Sequence, residues 1–244
     1  MANFWKIVNE VIKEADVVLE VVDARLPLES RNPEIEDKII KSEKKLVVVL
    51  NKCDLVDKRQ MDRIKREIKN SVFVSATKML GTTILKKRII ELGRGESITV
   101  GVVGYPNTGK SSVINALAGR SKASTSSQSG HTRGRQLIRA GGKIVLIDTP
   151  GVIPFKEKDE FKHALIATTD FSKVSDPEDI AVRLIAAMEG VIERHYNVKE
   201  HKDPEEALED IAKKKNMLKK GCVPDTLAAA REIIKDWQNG RILY

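Results

Sequence analysis

The stretch Gly104-Tyr105-Pro106-Asn107-Thr108-Gly109-Lys110-Ser111 constrains this 244-residue chain more than any other. Its spacing is GxxxxGKS. Residues 97–103 before it (SITVGVV) form a short β-branched apolar run, which predicts a buried strand. Residues 110–118 after it predict a helix that Gly119 stops. A strand, a Gly-rich turn and a helix N-terminus aim several backbone N–H groups at one point, an arrangement that suits phosphate. Lys110 would reach the β- and γ-phosphates and the Ser111 hydroxyl would ligate Mg²⁺. Asn107, Thr108, Gly109 and Ser112 complete the candidate phosphate contacts. The motif implies a nucleoside triphosphate and leaves open which one.

The segments around it alternate. Residues 3–15 carry a helical apolar stripe (Phe4, Ile7, Val8, Val11, Ile12), and residues 17–22 read as a buried strand. Residues 34–41 read as a helix with Asn32 as cap and Pro33 in its first turn. Residues 45–50 form a strand running into Asn51-Lys52-Cys53-Asp54, residues 57–70 an amphipathic helix, and residues 72–74 a strand ending at Ser75-Ala76-Thr77. A helix over 82–92 and a linker at Gly93-Arg94-Gly95 lead to the phosphate-loop strand. Such alternation predicts an α/β fold, a mostly parallel sheet with helices on both faces. Ligands of these sheets lie at the carboxyl ends of the strands, where all these motifs fall.

The motifs at the neighbouring strand ends select guanine. Asp54 would accept hydrogen bonds from the ring N1–H and the 2-amino group, while Asn51 and Lys52 brace the loop and the Lys52 stem packs on the base. Backbone N–H groups around Ser75 and Ala76 would donate to the guanine O6. Adenine lacks both complements, so it would leave buried polar groups unpaired.

Past the phosphate loop, residues 120–134 are rich in Ser, Gly and Arg and read as a mobile loop. Thr132, or alternatively Thr125, would close on Mg²⁺ when a γ-phosphate is present. Residues 135–140 and 143–147 predict a hairpin around Gly141-Gly142. Its second strand delivers Asp148-Thr149-Pro150-Gly151, with Asp148 holding Mg²⁺ through a water and the Gly151 N–H sensing the γ-phosphate.

Charge is uneven. Residues 155–244 carry 16 Lys+Arg against 18 Asp+Glu, so the net +8 comes from the first 154 residues. Residues 97–147 contain no acidic residue, which points either to a polyanionic partner such as RNA or to a solvated basic surface. The longest apolar runs are too short to span a bilayer. Lys6 and Glu10 interrupt the N-terminal apolar pattern, unlike a signal peptide. Cys53 and Cys222 lack metal-ligand spacing. A reduced, cytoplasmic protein is expected, with no membrane or DNA partner.

The motif order carries a resemblance. The segments NKCD and SAT precede GYPNTGKS and DTPG, whereas ordinary translation-factor-class GTPases run from the phosphate loop to the guanine motifs. This order resembles the circularly permuted GTPases of the YlqF/YawG type. Asp23-Ala24-Arg25-Leu26-Pro27, the following Ser30-Arg31-Asn32-Pro33, Lys220 to Asp225 and Asp236 to Arg241 are similar to that family's markers. The resemblance implies a P-loop GTPase fold, circularly permuted, over residues 1–156, and an all-helical, rRNA- or ribosome-binding domain over 157–244. It also implies an Mg²⁺-dependent GTPase acting in assembly of the large ribosomal subunit. Bacterial members carry a His-containing GHMxKA stretch near the N-terminus; residues 2–6 here lack histidine, so no catalytic base carries over. His131 and His163 are weak substitutes, more naturally surface residues.

Two catalytic expectations follow. Many GTPases orient the attacking water with a Gln just after DxxG, where this chain has Val152, so intrinsic turnover should be slow. Similar GTPases with Asn at the position of Asn107 bind K⁺ beside the phosphates; Asn107 is therefore a candidate K⁺ ligand and, with Lys110, a candidate catalytic residue, unless it merely shapes the loop. Residues 152–160 would transmit the γ-phosphate state to the C-terminal part. There, helices are expected from Asp176-Pro177 to about Tyr196, from Asp203-Pro204 through Leu218, and from Pro224 to near Gly240. Lys213, Lys214, Lys215, Lys219 and Lys220 would touch rRNA or simply solvate a helix end. GTP either drives a switch or serves an RNA-binding module as a structural ligand.

Overall fold

The computed structural model describes residues 2–93, 97–119, 136–153 and 159–244. They fall into two compact units, Met1–Glu157 and Lys158–Tyr244.

The first unit is built on a six-stranded sheet in the order β3-β2-β1-β4-β6-β5. Its strands are β1 (Val17–Asp23), β2 (Lys45–Asn51), β3 (Ser71–Phe73), β4 (Ile98–Val103), β5 (Gln136–Arg139) and β6 (Ile144–Asp148). All neighbours pair in parallel except β5, which runs antiparallel to β6 as the Gly141-Gly142 turn predicts. The helices are α1 (Ala2–Glu14), α2 (Pro33–Lys41), α3 (Lys58–Glu67), α4 (Thr82–Leu92) and α5 (Lys110–Ala118).

Strand alternation divides the core between two faces. Val17, Leu19 and Val21 of β1 and Val47 and Val49 of β2 pack with Leu85 and Ile89 of α4 and Val113, Ile114 and Leu117 of α5. The intervening residues face the other way: Val18 packs with α1 and α2, and Val22, Val48 and Leu50 pack with α3. Glu20, fully buried, shares this second face with Val18 and Val22. Strand order reverses between β1 and β4, and the loop after β4 lies at that crevice, where such sheets take their ligands.

The second unit is helical, with α6 (Glu160–Leu165), α7 (Pro177–Ala187), α8 (Val191–Tyr196), α9 (Pro204–Lys214) and α10 (Thr226–Gln238). Asp159, Asp176, Asp203 and Asp225 each cap the helix that follows by accepting from a backbone N–H. Trp237, fully buried, donates its indole N–H to the Leu165 carbonyl at 2.8 Å.

Three sequence expectations need correction here. The helix expected from 177 to 196 breaks in two, because Glu189 (φ 39°) and Gly190 (φ 77°) enter the left-handed region between α7 and α8. Leu218 is not on α9; it belongs to a minimal hairpin of β7 (Leu218–Lys219) and β8 (Val223–Pro224), where it is 45% exposed. Pro224 ends that hairpin, so Asp225 rather than Pro224 starts α10. The unexpected α6 has fewer than two turns, too short to show a helical period.

Candidate nucleotide site

The loop after β4 has the shape the sequence predicts. Gly109 (φ 93°) precedes the first residue of α5, and a Cβ there would collide with the Asn51 amide nitrogen. The Thr108 hydroxyl donates to the Tyr105 carbonyl at 3.0 Å, and Lys110 Nζ donates to the same carbonyl at 2.6 Å. Asn107 takes φ 61°, a conformation Asn tolerates better than most residues. Ser112 lies half-buried in the first turn of α5.

Asn51, on the end of β2, ties three motifs together. Its Nδ2 donates to the Thr108 carbonyl at 2.9 Å, and its Oδ1 accepts from the Ala76 N–H at 3.2 Å. That Ala76 N–H is one of the donors expected for guanine O6, and here it is engaged by Asn51. The 75–80 turn is closed by paired backbone bonds between Ser75 and Leu80 (3.1 and 3.0 Å). Asp54 lies 3.3 Å from Lys78 Nζ. Burial pushes its carboxyl up, but hydrogen bonds from Ser75 and Lys78 outweigh that and hold it below the ordinary range, ionised as base recognition requires.

Lys52 adopts the left-handed conformation (φ 61°) and its Nζ donates to Asp23 Oδ2 at 2.7 Å. Asp23 also receives Arg25 through Nε at 3.1 Å and Nη2 at 2.8 Å. Burial opposes ionisation of Asp23, and the two cations reverse that, keeping its carboxyl far below the usual range. Burial in turn lowers Lys52, with Asp23 opposing. The sequence marked DARLP as a family signature without a role. Its available signal was positional: Asp23 and Asn51 are register partners at the ends of adjacent strands.

On the phosphate side, Ser111 Oγ donates to Asp148 Oδ2 at 3.0 Å, while the buried Asp148 Oδ1 has no hydrogen-bond partner among the described residues. Burial raises the Asp148 pKa despite the Ser111 bond and the nearby Lys110. Burial lowers Lys110 to about 8, with the Asp148 carboxylate opposing. Gly151 presses on the phosphate loop: a Cβ there would meet Pro106 N at 2.5 Å.

Val152 lies in the apolar core with Trp5, Ile35 and Val103, at 3% exposure. Its N–H donates to the Gly104 carbonyl at 3.3 Å, and its carbonyl accepts from Asn32 Nδ2 at 3.4 Å. Asn32 is itself fixed: its Oδ1 caps α2 through the Ile35 N–H (3.2 Å) and its own N–H donates to Glu20 Oε1 (2.7 Å). Burial, then the neighbouring Glu36, raises the Glu20 pKa well above normal. Neither Asn32's hold on Val152 nor the Glu20 carboxyl was legible before the fold was known. Thr132, Thr125 and His131 lie outside the described residues, as does most of the 152–160 stretch; His163 lies on α6 of the second unit.

The sequence model of a family described as "50S ribosome-binding GTPase" matches residues 99–220, half of the chain. The chain belongs to that GTPase family. A second model, RsgA GTPase, matches residues 36–157. An "Uncharacterized GTP-binding protein" of Methanocaldococcus jannaschii is 41% identical over 98% of this chain and 66% of its own length. Nucleolar GTP-binding protein 2 of Yarrowia lipolytica is 36% identical over 98% of this chain and 50% of its own. The chain thus spans two thirds or less of these relatives. A GDP-bound TM YlqF shares the fold at TM-score 0.69 and 24% identity, over 96% of this chain and 94% of that one. A GNP-bound YlqF from T. maritima does so at 0.68 and 23%, over 98% and 94%. The fold is that of a circularly permuted P-loop GTPase.

The oxygens at the phosphate end of this GTPase suit the Mg²⁺ its family uses. A hard cation takes hydroxyl and carboxylate oxygens, directly or through water, and the orphaned Asp148 Oδ1 beside Ser111 Oγ supplies both kinds. When bound, the ion would neutralise phosphate charge. Among the described residues no helix is long and apolar enough to cross a membrane.

Proposed function

We propose that this GTP-binding protein hydrolyses GTP to GDP and phosphate as a switch while bound to a precursor of the large ribosomal subunit or its rRNA. The observation that carries the switch is the double tether of Val152. The residue after Gly151 is bonded on one side to the phosphate loop and on the other to Asn32 at the head of α2. A γ-phosphate that draws in the Gly151 N–H must therefore strain or break bonds reaching into the body of the unit.

In this reading Asp54 reads the guanine edge, with Asn51, Lys52, Ser75 and Ala76 shaping its pocket. Asn107, Thr108, Gly109, Lys110, Ser111 and Ser112 cradle the phosphates. Ser111 and Thr132 ligate Mg²⁺, Asp148 holds one of its waters, and Gly151 senses the γ-phosphate. Lys110 and a K⁺ held by Asn107 would supply the positive charge that develops along the transferring phosphate. The protein works in the cytoplasm, without membrane or DNA, and residues 157–244 form the ribosome-facing domain. Support for the partner is the family description and the nucleolar relatives.

A second reading, in which GTP is a structural ligand of an RNA-binding module, is favoured by one fact. Val152 is buried, so the side chain that directly follows DTPG does not orient the attacking water. GTP turnover measured in K⁺ and in Na⁺, with and without large ribosomal subunits, separates the two. Severalfold acceleration by subunits supports the switch; unchanged turnover with tight binding supports the structural ligand.

A further inference from the structure

The first unit has a second charged concavity, away from the phosphate loop. A cavity of about 350 Å³ opens at the amino ends of β2 and β3 and runs toward Arg31 at the head of α2. Arg31, Lys44, Lys45, Lys69 and Arg88 line it, and no carboxylate does. Leu46 and Val48 of β2 are among the apolar lining residues. The nucleotide motifs occupy the carboxyl ends of the same sheet, so GTP bound there cannot supply the anion this cavity lacks.

The cations are of two kinds. Arg31 is held by a two-bond pair with Glu36 (2.7 and 2.6 Å), and Arg88 by Glu91 and Asn70, each at 3.2 Å. These pairs orient the guanidinium groups. Lys44, Lys45 and Lys69 form no ion pair among the described residues, and Lys45 and Lys69 are exposed. The C-terminal lysine cluster contrasts with this. There Lys213 pairs with Glu209 and Asp210, Lys215 with Glu232, and Lys219 with Asp225, which leaves Lys214 and Lys220 without an ion pair among the described residues. Lys44, Lys45 and Lys69, which no carboxylate neutralises, repel one another, and a phosphate backbone relieves that repulsion while releasing counterions.

We propose that this groove is a binding surface for the phosphate backbone of RNA. Lys44, Lys45 and Lys69 contact phosphates, and the fixed Arg31 and Arg88 set the register. Five cations drawn from four segments suit several phosphates of one chain better than one compact anion. The inference deepens the ribosomal reading above by naming the surface.

The test measures binding of a labelled hairpin RNA across a salt series. It uses the full chain, the triple variant K44Q/K45Q/K69Q, the milder K45Q/K69Q, and a variant with Lys213, Lys214, Lys215, Lys219 and Lys220 all changed to Gln. GDP affinity and the thermal midpoint check that each variant is folded. The triple variant should bind RNA at least about tenfold more weakly at 0.15 M salt, and its log K against log salt slope should fall by roughly 2 to 3. The double variant should show an intermediate loss, which keeps the proposal open to test if the triple variant unfolds. Unchanged affinity and slope in the groove variants would overturn it, the more so if the C-terminal variant alone loses RNA. Displacement of the RNA by micromolar tripolyphosphate would make the groove a small-anion site and also overturn it. Co-sedimentation of each variant with large subunits separates the two readings: subunit binding that survives loss of the groove leaves the ribosomal reading standing.

Discussion

The two ends of the nucleotide site differ in how their charges are satisfied. On the base side Asn51 uses both ends of its amide, Asp54 is ionised beside Lys78, and Lys52 rests on an Asp23 that Arg25 also neutralises. On the phosphate side Lys110 is buried with its pKa drawn down to about 8, and Asp148 keeps an orphaned oxygen. The proposed base pocket is thus preorganised, and guanine would exchange one set of partners for another. The phosphate pocket carries an electrostatic cost that phosphate and Mg²⁺ would relieve, so part of the nucleotide's binding energy removes strain already present.

Lys110→Met tests that contrast hardest. It should weaken GTP binding by at least about a thousandfold, as expected from losing charge-assisted bonds to phosphate. The same change should stabilise the ligand-free protein. A pKa of about 8 against an unfolded value near 10.4 represents a cost of up to roughly 3 kcal/mol, offset in part by the lost bond to the Tyr105 carbonyl. Titration calorimetry and thermal unfolding together check it; a variant that loses both nucleotide and stability would show that the phosphate side is not strained.

Asp54→Asn comes next. GTP affinity should fall by roughly a hundredfold or more while affinity for xanthosine triphosphate rises, because the amide cannot accept from both guanine donors. Competition binding with the two nucleotides reads it directly, and an unshifted preference would remove the guanine assignment.

The pH dependence is smaller and has a definite sign. Lys110 has a depressed folded pKa, so between about 8 and its unfolded value the unfolded chain holds more protons, and ligand-free stability should rise with pH across that window. Nucleotide binding needs the charged amine, so GTP affinity should drop by roughly tenfold from pH 7 to pH 9, with proton uptake on binding. In Lys110→Met that slope should vanish.

Asn32→Asp is the mildest test. Aspartate still caps α2 but cannot donate to the Val152 carbonyl. The ratio of affinities for GDP and a non-hydrolysable GTP analogue should shift by about fivefold, on the order of one hydrogen bond, alongside a loss of stability from the buried carboxylate beside Glu20. An unchanged ratio would mean that Val152's tether plays no part in sensing the γ-phosphate.

Much of the fold was legible because local chemistry and tertiary structure agree along most of the chain. β-Branched runs became strands, Asn32 with Pro33 capped a helix, and Gly119 ended one. Agreement failed where a short polar or glycine-containing segment decided the path, as at Glu189-Gly190 and in the hairpin carrying Leu218. Local periodicity cannot register a break of one or two residues.

The sequence by itself determined the order of the motifs, their places at strand ends and the apolar residue after DTPG. These follow from residue type and spacing along the chain. Only the tertiary structure decided why Val152 is apolar: it plugs a core between α1, α2 and β4. It also decided that Asp23 anchors Lys52, that Glu20 and Asn32 hold the residue beyond DTPG, and that five cations from four segments line one cavity. Each of these joins residues distant in sequence and depends on burial, which shifts pKa values and makes unpaired polar atoms costly only once the chain has folded around them.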